Sequence, residues 1–292
     1  MPAERVSIVI VSFNARDHLR RCLASTSQMT GDYEVIVVDN ASSDGAANMV
    51  ESEFPDVKLI RNPRNEGFAV AVNIGERAAT GDVIVLLNPD SILTGDPFAA
   101  PAAFMRANLD VGVVGIKILD PDGGLQLSVR RFPGLQAALF NRYSLLTKLW
   151  PSNPWSSRYL MSDWHHDEQA DVDWVSGACL LTTRAVIDRV GSLDEGYFWG
   201  FEDVDFCQRV HKAGLRVVYY PQTSVIHVIG ASAKTVPTKA LVARHKGMWR
   251  YYKAHVSSNR VVDALVAAGI AVRCTLTVLM STARRKLQER RA

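Results

Sequence analysis

Four short runs of β-branched and aliphatic residues, Val6–Val11, Glu34–Val38, Val57–Ile60 and Val83–Leu87, are each followed by an amphipathic stretch. This alternation constrains the fold more than any other feature of the chain. The runs are nearly continuous in apolar residues, as strands covered on both faces must be. The stretches near Arg16–Ser27, Asp44–Glu53, Phe68–Ala79 and Pro97–Ala107 have helical spacing, with Asn14 and Ser42 or Ser43 as candidate N-caps. Strands alternating with helices predict an α/β fold, a mostly parallel Rossmann-like sheet with helices on both faces. Ligands in such sheets bind beyond the carboxyl ends of the strands, so the polar residues there carry the functional question.

The second half is less regular. Val113–Leu119 and Leu125–Val129 flank Asp120-Pro121-Asp122-Gly123-Gly124, a hairpin signal, and residues 132–170 read as a long excursion. Order returns with Val172–Thr183, a helix near Arg184–Val190, a second helix from Glu202 to Ala213 closed by Gly214, and two short strands, Arg216–Tyr220 and Thr223–Val228. No clean linker separates the halves, which predicts a shared core. With 48% apolar and 22% charged residues over 292 positions, the chain is neither disordered nor a disulfide scaffold. Cys22, Cys179, Cys207 and Cys274 form no CxxC pair, so buried reduced thiols are expected. The amino-terminal apolar run reads as a strand, with no signal peptide, and no stretch of 18 uncharged apolar residues predicts an ordinary transmembrane helix.

Three strands end in polar clusters: Ser12-Phe13-Asn14, Asp39-Asn40-Ala41-Ser42-Ser43-Asp44-Gly45 and Asn88-Pro89-Asp90. Capping accounts for Ser43 and Asp44, since Asp, Asn and Ser favour helix starts for backbone reasons alone. Asp39 and Asp90 directly follow buried strands and fit function better. Neither GxGxxG nor GxxxxGK[ST] occurs, which excludes the usual dinucleotide and P-loop sites. A nucleotide binder without either neutralises phosphate by other means, and a divalent cation held by a strand-end acid is the natural device.

Val11-Ser12-Phe13-Asn14, Val37-Val38-Asp39-Asn40-Ala41-Ser42-Ser43-Asp44-Gly45, Asn62-Pro63-Arg64-Asn65-Glu66-Gly67-Phe68, Asn88-Pro89-Asp90 and Phe201-Glu202-Asp203-Val204-Asp205-Phe206 occur in that order. This set resembles family 2 glycosyltransferases of the GT-A fold over roughly residues 5–255. More narrowly it resembles bacterial rhamnosyltransferases that extend lipid-linked cell-wall sugars. The segments at 120–123, 153–155, 174–181 and 245–246 support the narrower likeness. The resemblance divides the chain into a nucleotide-sugar-binding half (1–115), an acceptor-binding and catalytic half (116–238) and a basic helical region (239–292). It implies that Ser12, Phe13, Asn14 and Asp39 hold the nucleobase and that Asn65, Gly67 and Asn73 lie near the nucleotide. A plain turn before a helix explains Asn65 and Gly67 equally well.

Asn88-Pro89-Asp90 stands where the family has its DxD motif, with Asn88 replacing the first acid. The resemblance makes Asp90 a ligand of Mg²⁺ or Mn²⁺, with His227 completing the metal site, and the cation would stabilise the nucleoside diphosphate leaving group. It places the general base at Asp203, with Glu202 and Asp205 as alternatives that could instead contact the acceptor. Acids in a first helical turn also suit the helix dipole. Trp199, in the aromatic stretch Phe198-Trp199-Gly200-Phe201, is suited to stacking on a sugar. The implied reaction is a single inverting displacement: Asp203 takes a proton from an acceptor hydroxyl, which attacks the anomeric carbon of a nucleotide sugar. The donor implied is dTDP-L-rhamnose, and the acceptor a saccharide on polyprenyl diphosphate such as its GlcNAc conjugate. His165 and His166 match nothing and read as solvated loop.

From Lys239 onward there are 12 Lys and Arg against 2 acids, net +10; the preceding residues hold the remaining 21 bases and 28 acids, net −7. Residues 261–281 are mostly apolar, interrupted by Asp263 and Arg273, and are followed by Arg284-Arg285-Lys286 and Arg290-Arg291. Such a helix lies on an anionic membrane surface, which with the lipid-linked acceptor implies a cytoplasmic protein held at the inner face of the membrane. A packing helix with a solvated basic end is the alternative. No RRM, KH or helix-turn-helix signature accompanies the charge, so no nucleic acid partner is expected.

Overall fold

The computed structural model describes residues 4–134, 150, 154–228, 238–257 and 259–289. Its first half follows the alternation: β1 (Val6–Ser12), α1 (Arg16–Thr26), β2 (Tyr33–Asp39), α2 (Ala46–Glu53), β3 (Lys58–Arg61), α3 (Phe68–Ala78), β4 (Val83–Leu87), β5 (Ser91–Leu93) and α4 (Ala99–Ala107). The second half adds β6 (Val111–Leu119), β7 (Leu125–Gln126), β8 (Val129–Arg130), α5 (Pro154–Leu160), β9 (Ala170–Asp171), β10 (Trp174–Val175), β11 (Cys179–Thr183), α6 (Arg184–Val190), α7 (Glu202–Lys212) and β12 (Arg216–His227). Two helices, α8 (Thr238–His255) and α9 (Arg260–Glu289), close the chain.

The main sheet runs β3-β2-β1-β4-β11-β6-β12-β5. β1 is parallel to β2 and β4, β2 to β3, and β12 to β6, while β11 lies antiparallel between β4 and β6. Strands from both halves therefore share one sheet. Side-chain alternation sends Val9, Val11, Ile84 and Leu86 to one face, where α3, α6 and α7 pack. Ile8, Ile10, Val85 and Leu87 go to the other, under α1, α2 and α4. Helices on both faces explain why these strands are mostly apolar.

Topology collects the functional residues on one rim. Ser12 lies opposite Asp39, and β4 ends beside them. Because β11 runs the other way, its start at Cys179 sits beside Leu87, bringing the 176–178 turn to the same rim. β5 pairs antiparallel with the end of β12, placing Ser91 opposite His227.

Several local expectations are corrected. Residues 216–227 form one strand with an irregularity between Tyr220 and Ser224, where Pro221 removes a donor from the ladder. The run 172–183 breaks at a turn around Ser176 and Gly177. Asn14, Ser42 and Ser43 are not the caps: Asp44 accepts from the Arg16 amide with Oδ2 at 2.8 Å and from the Ala46 amide with Oδ1 at 3.0 Å, serving the starts of both α1 and α2. His166 is buried rather than solvated; its ring lies 4.3 Å from that of Trp164, and Nε2 meets the Met161 carbonyl at 2.9 Å. Cys22, Cys179 and Cys207 are buried free thiols.

In α9, Arg260–Ala283 holds an 18-residue window of mean hydropathy 1.8 with none of that window buried, so by length and composition it could cross a membrane. The sequence expectation required an uninterrupted apolar run, whereas Arg260, Asp263 and Arg273 are spread over 24 residues that remain apolar on average. The side chains of Arg284, Arg285 and Lys286, and residues 290–292, lie outside the described residues.

Candidate active site

The ends of β1 and β2 form the first wall. Ser12 and Asp39 are both buried, and neither Ser12 Oγ nor Asp39 Oδ1 has a hydrogen-bond partner. Buried polar atoms are seldom left unpaired, so two orphans side by side mark a place for a ligand's polar edge. The other Asp39 oxygen accepts from the Ser42 amide at 3.0 Å, which fixes the carboxylate. Asn14, with φ 50°, accepts from the Ser43 amide at 2.8 Å and so ties the two strand-end loops together; Phe13 beside it is exposed.

Asn40 organises the neighbouring loop. Its amide donates to Asn65 Oδ1 at 3.0 Å and the Gly67 carbonyl at 3.1 Å, and its oxygen accepts from Asn62 and from the Glu66 amide. Asn65 also accepts from the Gly67 amide, so its oxygen is committed to the loop. At Gly67, φ is 93° and a Cβ would stand 2.7 Å from the Phe198 carbonyl, to which the Phe68 amide donates at 2.7 Å. The close approach that requires glycine is therefore made to the chain's own aromatic loop. Asn73 is corrected likewise: its amide donates to the Leu193 carbonyl and to Glu195, and accepts from the Leu193 amide, all within the protein.

Asn88, Asp90 and His227 converge. His227 Nε2 lies 3.1 Å from Asp90 Oδ1 and 3.1 Å from Asn88 Nδ2. Gln126 decides the state of the ring. Its Nε2 donates to Asp120 at 2.7 Å and to the His227 carbonyl at 2.6 Å, leaving Oε1 to accept from His227 Nδ1 at 3.0 Å. With the proton on Nδ1, a neutral His227 turns the Nε2 lone pair towards a carboxylate oxygen. Two acceptors at that separation need a cation or a proton between them. Among the described residues no group of three or more His, Cys, Asp or Glu could hold a metal. A carboxylate and an imidazole suit a Mg²⁺ or Mn²⁺ that takes its remaining ligands from phosphate and water.

Asp203 belongs to the same rim. The Asn88 amide donates to the Ala178 carbonyl at 2.9 Å, and the adjacent Gly177 amide donates to Asp203 Oδ2 at 3.0 Å. The Val204 amide holds Oδ1 at 2.8 Å. Left-handed backbone at Gly200 and Phe201, φ 83° and 81°, turns the chain sharply into α7. Of the three acids in that turn, Asp203 alone is not fully buried. Glu202 is 6% exposed with Oε2 unpartnered, and burial followed by the Asp203 charge pushes its carboxyl up to about 8. Burial also raises Asp203, against the pull of the Gly177 and Val204 amides and of Arg130. Asp205 is 3% exposed, ion-paired to Arg209 at 2.8 Å and in hydrogen-bond contact with His255 Nε2 at 2.7 Å. It is a structural hub, and the expected acceptor contact is not available to it. Phe198 and Trp199 stand partly exposed beside the turn.

Gln126, Gly177 and Arg130 escaped the sequence reading. Gln126 follows the Asp-Pro-Asp-Gly-Gly hairpin on a two-residue strand, too short for periodicity to mark. Arg130 caps β8 over the Trp174 ring at 5.2 Å, with a buried, unpartnered Nε.

Comparison with known proteins agrees with this architecture. An N-acetylglucosaminyl-diphospho-decaprenol L-rhamnosyltransferase of Mycobacterium tuberculosis is 34% identical over 256 residues, 83% of this chain and 82% of that protein. Rhamnosyltransferase WbbL of Escherichia coli is 27% identical over 89% of this chain and 97% of its own length. GalNAc-T7, solved with UDP, GalNAc and Mn²⁺, has a TM-score of 0.63 at 20% identity, covering 86% of this chain and 49% of its own. The mannosyltransferase PcManGT of Pyrobaculum calidifontis, solved with GDP-Man and Mn²⁺, has a TM-score of 0.58 at 16% identity, covering 97% and 75%. The model described as Glycosyl transferase family 2 matches residues 7–161. With the ordered strand-end motifs, the mixed sheet and the mycobacterial relative identical at a third of the aligned positions, the chain belongs to glycosyl transferase family 2, as a hexosyltransferase of the GT-A fold.

Proposed function

We propose that the protein transfers L-rhamnose from dTDP-L-rhamnose to a GlcNAc-diphospho-polyprenol, with inversion, at the inner face of the cell membrane. The observation that carries this reading is the opposition of His227 Nε2 and Asp90 Oδ1 at 3.1 Å, linked through Asn88 and the 177–178 turn to Asp203. A pair that a cation would bridge thus shares its rim with an acid of raised affinity for protons. The names of the mycobacterial and Escherichia coli relatives support the sugar, and the former supports the acceptor.

In this reading residues 1–115 bind the donor, with Asp39 Oδ1 accepting from the imide N–H of the base and Ser12 Oγ completing that edge. Asp90 and His227 hold Mg²⁺ or Mn²⁺, which when bound neutralises charge on the leaving diphosphate. Residues 116–238 supply the acceptor side. Trp199 packs on the sugar, Gly177 and Val204 hold the Asp203 carboxylate still, and Asp203 takes the proton of the attacking hydroxyl. One base on the face opposite the nucleotide gives inversion.

A donor panel assayed with GlcNAc-diphospho-polyprenol tests the reading. The expected product is a rhamnosyl-GlcNAc lipid of inverted anomeric configuration, formed from dTDP-L-rhamnose and abolished by chelation. Asp203→Asn is expected to lower kcat by about 10²-fold or more while leaving dTDP binding unchanged. Unchanged turnover in that variant would remove Asp203 as base and leave Glu202.

A further inference from the structure

The turn that carries Asp203 is gripped from two sides. Residues 194–201 lead into α7 and deliver Glu202 and Asp203 to the rim. On one side the Phe68 amide donates to the Phe198 carbonyl at 2.7 Å. On the other lies α8, where Gly247, Arg250, Tyr251 and His255, spaced three and four apart, share one face. A Cβ at Gly247 would stand 2.6 Å from the Gly200 carbonyl and 3.4 Å from Tyr197 Cδ1, so helix and loop meet backbone to backbone. Arg250 forks onto Asp194, with Nε donating to Oδ2 at 2.7 Å and Nη2 to Oδ1 at 2.8 Å, and its guanidinium lies 5.5 Å from the centre of the Tyr197 ring. Asp194 in turn accepts from the Gly196 amide at 2.9 Å. Further along the helix, Tyr251 donates to Gln208 at 3.0 Å and His255 Nε2 meets Asp205 at 2.7 Å.

These contacts bear on the chemistry because the turn is strained. Phe201, a non-glycine residue at φ 81°, keeps its left-handed backbone only where its neighbours over-determine it. Its carbonyl accepts from the Asp205 amide at 2.9 Å, the bond that opens α7, and Asp203 lies between the two. A shift of the loop therefore carries the Asp203 carboxylate with it, and a base misplaced by about 1 Å can lose about a hundredfold in rate. Arg250 and Asp194 have side chains 48% and 32% exposed, so as an ion pair they contribute little to stability. A planar fork fixes direction all the same. We propose that Arg250 is a positioning residue for the transfer, and that α8, through Asp194 and Gly200, sets where Asp203 meets the acceptor hydroxyl. Arg250 acts through the loop and not on a substrate. The inference rests on Asp203 as the base proposed above. It gives α8, which lies beyond the residues 7–161 matched by the family model, a part in the reaction.

Transfer by the full-length protein in detergent tests this as a double-mutant cycle. Arg250→Met is expected to lower kcat by about tenfold, to change KM for GlcNAc-diphospho-polyprenol by less than about twofold, and to leave dTDP affinity unaltered. Its urea midpoint should match wild type, because the ion pair is largely exposed. In the Asp203→Asn background, where no carboxylate remains to be aimed, the same substitution is expected to cost less than about twofold. A packing role would lower both backgrounds alike, so an equal loss in the two overturns the proposal, as does an unchanged kcat or a loss confined to KM. Gly247→Ala pushes on the Gly200 carbonyl and leaves the ion pair intact. It is expected to repeat the pattern, and additivity with Asp203→Asn in this variant overturns the proposal even where Arg250→Met fails to fold. If Asp203→Asn turns over like wild type, the base assigned above fails, whereas the hold of α8 on the turn is still read from the loss of kcat in Arg250→Met.

Discussion

Glu202 and Asp203 are adjacent acids in one helical turn, and burial raises the proton affinity of both. For catalysis, the base must be ionised, so the acid limb of kcat against pH is expected above the usual carboxylate range. Arg130 opposes that shift, and Arg130→Met is expected to move the limb to still higher pH in a rate profile taken at saturating acceptor. Stability carries the opposite sign. Glu202 binds its proton more tightly folded than unfolded, so its contribution is present below its unfolded value and is lost as pH rises towards about 8. Glu202→Gln is therefore expected to match wild type in unfolding free energy at pH 5 and to exceed it at pH 9 by about 2–4 kcal/mol, read by urea titration. A second residue-scale expectation concerns Gln126, which fixes the proton on His227 Nδ1 and holds the His227 carbonyl. Gln126→Leu frees the ring tautomer and should weaken Mn²⁺ activation by about 10–100-fold, read as the metal concentration for half-maximal activity, with kcat at saturating metal nearly retained.

At the scale of elements, one carboxylate anchors two helices. Asp44 holds the first amides of α1 and α2, and the Asn14–Ser43 bond closes the loop between them. Asp44→Ala removes two charge-assisted caps and is expected to cost about 2 kcal/mol in urea unfolding. Because that loop fixes Asp39 through Ser42, the same variant should also weaken dTDP binding in a titration, although Asp44 touches no ligand. The sequence reveals half of this design. Val83–Leu87 and Arg184–Val190 are read from periodicity with their observed limits, because each buries residues locally defined by the chain. What periodicity could not show is what depends on distant partners. The antiparallel insertion of β11, the service of Asp44 to a helix 28 residues earlier and the pressure of Phe198 on Gly67 all arise from contacts made only after the sheet has assembled. The site divides the same way. Asp39, Asp90 and His227 stand at strand ends where motifs mark them. Asn73 and Asp205 look like ligands in sequence but spend their polar atoms on Leu193, Arg209 and His255.

On the scale of the molecule, an acidic body of net −7 carries a tail of net +10. α9 places Val261, Leu265, Val272, Leu276, Leu279 and Met280 outward, with Leu265 69% exposed. At 100° per residue these six fall within one third of the helix circumference, a stripe about 28 Å long. Of the charges that interrupt the apolar run, Asp263 lies off this stripe and is held against α8 by Tyr252 and Lys253. An outward aliphatic stripe with Asp263 tied to α8 fits the proposed seat of this helix in a membrane surface. Leu265→Glu/Leu276→Glu is expected to weaken binding to phosphatidylglycerol vesicles by about 3 kcal/mol, roughly a hundredfold, measured by flotation. Raised salt should weaken wild-type binding, since the basic tail contributes through screened attraction. Both stripe positions lie away from the rim that carries Asp90 and Asp203, so metal-dependent hydrolysis of the donor should be unchanged. Transfer to an acceptor embedded in vesicles should fall with flotation, and transfer to a short-chain soluble acceptor should not. Wild-type protein that stays with vesicles through alkaline carbonate, and leaves only in detergent, would instead identify α9 as a crossing helix.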